Sequence, residues 1–246
     1  MFPDSLSQYF AANQEALWAS TVLLDLTGTV VLYRLFGKVG LQVAIATAII
    51  LANIQGPKLT SIFGFETTIG VIFYSSIFLA TDILNENYGR AEANKAVRMG
   101  FVVSLIVLLM MSLSMMYVPT DRQFAIEVHN AFGTILNFTP RFILGSLFAY
   151  IVSQSFDVWA YDRIRRFTGE KWVWVRNNGS TMCSQIIDTA IFSLVVWWGP
   201  VDLNTALKLG GAKFGFKIVI AAVDTVFLYW AKGMFRNHHV PIVQAG

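Results

Sequence analysis

Cysteine is nearly absent from this chain. Cys183 is the only one, which excludes an intramolecular disulfide and a cysteine-built zinc site. Histidine is almost as scarce, and His129, His238 and His239 fall in a predicted loop and near the end of the sequence, so neither a haem nor a metal centre is expected in the core, and no cofactor is expected at all. Charged residues make up only 13% of the 246 residues. No predicted loop exceeds about 22 residues, too short for an attached soluble domain of ordinary size. Apolar residues fill the space instead, at 55% of the composition with a mean hydropathy of +0.57. That balance is outside the soluble range and predicts a polytopic membrane protein.

A spanning helix needs roughly 20 apolar residues. By that measure about seven spans are expected, at 15–36, 39–55, 67–85, 96–118, 140–161, 182–199 and 213–232, giving an all-α transmembrane helical bundle. The first span does not read as a signal peptide, because Asp4 and Glu15 precede it and the basic residues Arg34 and Lys38 follow it. Alternate loops are rich in Lys and Arg: Arg34 and Lys38; Arg90, Lys95 and Arg98; Arg163, Arg165, Arg166, Lys171 and Arg176; then Lys232 and Arg236. The opposite loops carry mainly Lys58, Arg122, Arg141 and Lys208. The bias predicts an N-terminus outside and a C-terminus inside the cytoplasm. The net charge of +3 and pI near 9.0 are then topology signals, and no nucleic-acid partner is expected. Trp172, Trp174, Trp197, Trp198 and Trp230 lie near predicted span ends and read as interfacial anchors.

The motif Ser-Gln-x-x-Asp occurs twice within apolar stretches, as Ser153, Gln154 and Asp157 and as Ser184, Gln185 and Asp188. Ionised carboxylates in hydrocarbon cost at least about 2.5 kcal/mol, so such residues face a bundle interior or a watery cavity. Positions three apart share a helix face, so each copy presents an amide beside a carboxylate. Two spans joined by a short loop are expected to be antiparallel neighbours. Gln both donates and accepts while ionised Asp only accepts, a set suited to the N–H edge of a guanine-like base or to an ammonium group. The alternative is that Ser and Gln are interhelical glue, worth about 0.6 kcal/mol each.

A third cluster, Asp82, Asn85 and Glu86, closes the predicted third span, with Asp82 the deeper acid and Glu86 close enough to the boundary to be partly hydrated; the alternative for Glu86 is a solvated helix end paired with Arg90. Asp224 lies in the last span, and Asp224-Thr225-Val226-Phe227 echoes Asp188-Thr189 through Phe192. Lys213 and Lys217 precede Asp224 on the same stretch and supply ion-pair partners. Asn53, Gln55, Gly56 and Pro57 before Lys58 should break or kink the second span, either as an interrupted helix of the kind that points to a substrate site in transporters or as a simple span end followed by a turn. Ala44, Ala48 and Ala52 form a small-residue ridge for close approach within the bundle or to a partner protein. Asp25 is expected to pair with a basic neighbour. Met110, Met111, Met115 and Met116 read as packing.

These residues together resemble a known family. Asn53 and Lys58, the run from Ala80 through Asp82 and Glu86 to Tyr88 and Gly89, Pro140-Arg141, and Ser153-Gln154 with Asp157 occur in the order of the queuosine precursor transporter family. So do Trp174 with Arg176, Asn177 and Asn178, Gln185 with Asp188, Thr189 and Phe192, and Lys217 through Asp224-Thr225 to Tyr229. These are vitamin-uptake-transporter-like integral membrane proteins, and the resemblance covers about residues 40–235. It implies a prokaryotic inner-membrane importer of 7-cyano- or 7-aminomethyl-7-deazaguanine, salvaged for queuosine in tRNA. It also implies substrate-binding roles for Asn53, Lys58, Asp82, Glu86, Gln154, Asp157, Arg176, Asn177, Gln185, Asp188, Lys217 and Asp224. Asp188 or Asp157 would accept from the base's N1–H and exocyclic amine, with Gln154 or Gln185 meeting its carbonyl or ring nitrogens.

Two departures stand out. Val226 occupies the place where members often carry a proline, and residues 1–38 form a span extra to a six-helix core at 39–236, leaving 237–246 as a cytoplasmic tail. The chain is expected to act alone, as a homo-oligomer, or as the substrate-binding subunit of a complex with a separate ATP-driven module docked on the alanine ridge. A different class, an intramembrane hydrolase using Asp82 and Asp188 as a dyad, lacks visible oxyanion donors.

Overall fold

The computed structural model describes residues 3–56, 58–136, 140–169, 171–197 and 202–241, with side chains excepted at 140–143, 196, 197, 203, 205, 206 and 209. Pro57 and Trp198 therefore lie outside the described residues, as do the side chains of Pro140, Arg141 and Trp197. The architecture is an all-α bundle with one small hairpin. Its helices are α1 (Asp4–Ala12), α2 (Gln14–Gln55), α3 (Gly70–Tyr88), α4 (Arg90–Ser114), α5 (Gln123–Leu136), α6 (Pro140–Thr168), α7 (Val173–Phe192) and α8 (Leu203–Arg236). A π-helical turn, Ser193–Trp197, extends α7, and strands β1 (Leu59–Ile62) and β2 (Phe65–Thr68) link α2 to α3.

The expected first two spans are the two limbs of α2. Gly37, at φ 59° and ψ −139°, interrupts its helical geometry, and beyond it the chain folds back. A Cβ built on Gly40 would lie 2.0 Å from the Leu32 carbonyl oxygen, although residues eight apart in a straight helix are about 12 Å apart. Only glycine tolerates both that backbone conformation and that contact. The turn is also packed from outside, since a Cβ on Gly37 would meet the Pro241 carbonyl at 2.6 Å. The small-residue ridge lies within the second limb. Ala44, Ala48 and Ala52 are all buried inside the chain's own bundle, which removes the ridge as a docking surface for a second protein.

Helix α3 is the hub, packing against α2, α4, α6 and α8. Residues 75 to 86 are buried without interruption, the pattern of a helix enclosed on every side. Helices α6 and α7 pack together, and α8 closes the bundle against α2, α3 and α7. Outward from this core, α4 exposes Leu105, Ile106, Leu109, Met110 and Leu113, an apolar surface that only lipid or another protein can cover.

Several element boundaries correct the sequence reading. Helix α7 begins at Val173, well before the expected 182, so Arg176 is a helical residue with no exposure rather than an inner-loop cation. Helix α8 begins at Leu203 and carries Lys208, which the hydropathy pattern places in a loop. Helices α1 and α5 occupy segments without an expected span, and α4 stops at Ser114 rather than 118. Three helices, Gln14–Gln55, Arg90–Ser114 and Gly210–Arg236, are long and apolar enough to cross a membrane by length and composition. Helices α3, α6 and α7 are of spanning length too, about 28 Å or more at 1.5 Å per residue, but carry the buried polar residues that dilute their hydropathy.

Replacing Gly40 by alanine should cost about 1–3 kcal/mol through overpacking and lower the thermal midpoint of the detergent-solubilised protein. Gly28→Ala, whose added Cβ would meet nothing within 4 Å, should leave that midpoint unchanged or slightly raised.

Candidate functional site

A cavity of about 720 Å³, its open mouth included, lies where five segments end or begin. The α2 terminus supplies Ala52, Asn53 and Gly56, the first turns of α3 supply Gly70 and Tyr74, and α8 supplies Lys213 and Lys217. Asp188, Thr189 and Phe192 come from the end of α7, and Ser146 and Ala149 from α6. Small residues make the approach possible. A Cβ on Gly70 would meet the Ala52 carbonyl at 2.9 Å, and one on Gly210 would meet the Ser193 hydroxyl at 2.7 Å. The π-helical turn at Ser193 stands at the cavity wall, a placement common for such turns near functional sites.

Asp188 is the charged centre of the wall. Its Oδ2 accepts from Lys217 Nζ at 2.5 Å and its Oδ1 from the Ser153 hydroxyl at 3.3 Å. Lys217 Nζ also stands 5.4 Å from the Tyr74 ring centroid, and Lys213 Nζ stands 4.2 Å from that of Phe192. The site thus offers a carboxylate, two ammonium groups and two aromatic faces around one opening. A few polar groups converging on an otherwise apolar opening are what a small planar ligand requires.

The repeated motif is interlocked. Ser153 of the first copy donates to Asp188 of the second, and Ser184 of the second donates to Asp157 of the first at 2.9 Å. Antiparallel packing of α6 on α7 produces this reciprocity, because each serine then faces the other copy's aspartate. Behind Asp188 a smaller cavity of about 230 Å³ is lined by Tyr74, Thr181, Gln185, Lys217 and Asp224. Deeper still, Asn177 donates to Asp224 Oδ1 at 2.8 Å and to Thr225 at 3.0 Å. Asp82, wholly buried, interacts there with Asp157 and Asp224. Gln154 accepts from Thr81 at 3.3 Å.

Beyond Asp82 the file ends in a closed knot. Glu86 accepts from Arg176 Nε and Tyr161 Oη on one oxygen, both at 2.9 Å, and from Arg176 and Lys232 on the other, both at 2.6 Å. Four donors saturate a carboxylate. Arg176 further donates to the carbonyls of Gly169 and Lys171, and Arg165 to those of Asn85 and Glu86. The alternative for Glu86, a solvated helix end paired with Arg90, does not hold: Glu86 is buried, and Arg90 meets Asp162 at 3.9 Å.

Of the twelve residues marked in the sequence, Asn53, Asp188 and Lys217 line the cavity at the helix ends, and Gln185 and Asp224 join Lys217 at the smaller one behind it. Gln154, Asp157, Asn177 and Asp82 lie below them, Glu86 and Arg176 lie in the knot, and Lys58 is exposed away from the cavity wall. Asp25 makes no ion pair among the described residues and sits beside Ser76. Sequence reasoning misses Tyr74, Tyr161 and the inward role of Lys232. An aromatic residue in an apolar run carries no signal of its own, and Lys232 reads as a loop cation.

Comparison with known proteins decides the family. Residues 68–231 match the model of the family described as "putative vitamin uptake transporter". The chain is 37% identical to a probable queuosine precursor transporter of Bacillus subtilis, over 90% of this chain and 96% of that one. The chain belongs to the queuosine precursor transporter family. A queuosine precursor transporter of Escherichia coli is 27% identical over 69% of this chain and 74% of its own length. A probable one of Haemophilus influenzae is 27% identical over 68% of each chain. No solved structure matches. These relatives are named as transporters, not enzymes, and the bundle is that of a multi-pass membrane protein.

Removing Arg176 would leave Glu86 buried with less charge compensation. Arg176→Gln should therefore destabilise the fold by about 3–5 kcal/mol, read as a lower denaturation midpoint in detergent. The double variant with Glu86→Gln should recover part of that loss, and a double-mutant cycle measures the coupling.

Proposed function

We propose that this chain imports a queuosine precursor, a 7-deazaguanine base, across the prokaryotic inner membrane for salvage into tRNA. The observation that carries the reading is the near full-length likeness to the Bacillus subtilis transporter. The cavity chemistry supports it. Asp188 can accept from adjacent N–H groups of a guanine-like edge, Lys217 can donate to the neighbouring carbonyl, and Tyr74 and Phe192 offer faces for stacking. To bind, the base must displace the Lys217 bond to Asp188, so the pair serves as the resting partner of each group in the base's absence.

Direction follows from charge. The cavity opens at the ends of α2 and α7 and the starts of α3 and α8, which the Lys and Arg bias assigns to the outer face. On that assignment the Glu86–Arg176–Lys232–Tyr161 knot lies toward the inner face, which supports reading the arrangement as the outward-open state of an alternating-access cycle with seven spans. Because the alanine ridge is buried, the stand-alone transporter is favoured over a subunit that docks an energising module there.

The test is the queuosine content of tRNA in cells unable to make the precursors, fed each 7-deazaguanine base at low concentration with and without this chain. Restoration is expected, and its absence with the protein present in the membrane would count against import. Asp188→Asn, nearly isosteric, should reduce restoration at least about tenfold, a loss of transition-state or binding stabilisation near 1.4 kcal/mol or more, while membrane insertion by fractionation stays normal. Ser153→Ala should cost less, since it removes one neutral donor.

A further inference from the structure

Three carboxylic acids from three helices, Asp82 on α3, Asp157 on α6 and Asp224 on α8, meet in the core between the cavity and the inner knot. Their residues are at most 1% exposed. None of the ion pairs found among the described residues reaches them. Glu86 and Asp188, by contrast, are each paired with a base. Three negative charges in that position would cost far more than hydrogen bonding could offset. The cluster is stable only when neutralised from outside the protein.

Hydrogen bonding distinguishes the three. Asp157 accepts from Ser184, and Asp224 accepts from Asn177. Neither oxygen of Asp82 has a donor. A second observation lies beside the same acids: Asn177 is fully buried and donates to Asp224, while its own carbonyl oxygen has no partner. Gln154, also fully buried, has an unpartnered amide nitrogen. Asp82 faces Asp157 and Tyr161 on α6, Asp224 on α8 and Glu86 on its own helix. Arg176 on α7 and Lys232 on α8 are engaged with Glu86. On α2, Asp25 stands beside Ser76, and α4 contributes only Ala93, Ala96, Val97, Gly100 and Ser104 to the buried core.

Among the described residues no three His, Cys, Asp or Glu side chains are grouped as a metal-ligand set, and a proton needs only one carboxylate. We infer that Asp82, supported by Asp157 and Asp224, is the proton-binding site that couples uptake to the proton gradient. The site rests on the transport reading above and deepens it. A proton enters from the outer cavity past Asp224, which shares the inner cavity with Lys217, and resides on Asp82. It leaves toward the inner face when the knot opens, one proton moving inward with one base, which is itself unchanged. Intramembrane acids that form proton relays in transporters have this placement between two gates.

Purified full-length protein in proteoliposomes tests this with radiolabelled 7-cyano-7-deazaguanine. Counterflow exchange without any gradient reads transport alone. An inward pH gradient and an inward Na⁺ gradient are then imposed separately. The expected result is accumulation with the pH gradient only, up to about tenfold per pH unit for one proton per base, abolished by a protonophore. In Asp82→Asn the ratio of gradient-driven to gradient-free uptake should fall to about one.

Active exchange that is indifferent to the pH gradient, or driven by Na⁺, would overturn the proton site and leave the transport reading standing. So would an Asp82→Asn protein that keeps the wild-type ratio. Absence of counterflow in the wild type would remove the transport reading itself, and the proton site with it. Should Asp82→Asn fail to insert, calorimetry of base binding to wild type in two buffers of different ionisation enthalpy decides. Proton uptake on binding supports the site, and none at any pH near neutrality overturns it.

Discussion

Glu86 sits on a helix buried on all sides, and four hydrogen bonds from α6, α7 and α8 converge on its two oxygens. The bundle depends on this convergence. A lone carboxylate in that setting would be among the most expensive groups in the chain, and satisfying it fixes the relative height of four helices at one end. Arg176 then reaches past Glu86 to the carbonyls of Gly169 and Lys171, tying down the connection between α6 and α7. The same knot that stabilises the fold closes the end of the polar file opposite the cavity.

At the other end the constraint is reversed. The cavity residues keep capacity for a ligand: Asp188 holds Lys217 and Ser153 by bonds a substrate can replace, and the aromatic rings of Tyr74 and Phe192 stand beside ammonium groups rather than packed face to face. Between the two ends lie buried acids that no ion pair among the described residues compensates. Saturation at one end, exchangeable partners at the other and uncompensated carboxylates between them form a graded polar axis. Such an axis is expected where a solute and a neutralising ion cross the same apolar bundle.

The chain's own residues already carried much of this. Low charge and long apolar runs give a membrane bundle, because backbone groups in lipid must be satisfied within helices. The repeated Ser-Gln-x-x-Asp spacing gives one polar face per helix, and the short connection between the copies makes them antiparallel. Reciprocal bonds between Ser153 and Asp188 and between Ser184 and Asp157 follow from those two facts. The ordered motifs also sufficed to identify the family, since order along a chain is a property that sequence holds in full.

What only the tertiary structure decided is which polar residue meets which. Arg176 reads as a loop cation because hydropathy averaging cuts a helix short where polar residues cluster; its burial depends on Glu86, 90 positions away in sequence. The sequence marks Asp82, Glu86, Asp157, Asp188 and Asp224 alike as acids in or at the end of apolar runs, and separates only Glu86, by its place near a span end. Packing separates them, giving Glu86 four donors, Asp188 a lysine and Asp82 none. Local spacing determines which face of a helix a side chain occupies. Charge compensation is a contact between helices, and it exists only once they have packed.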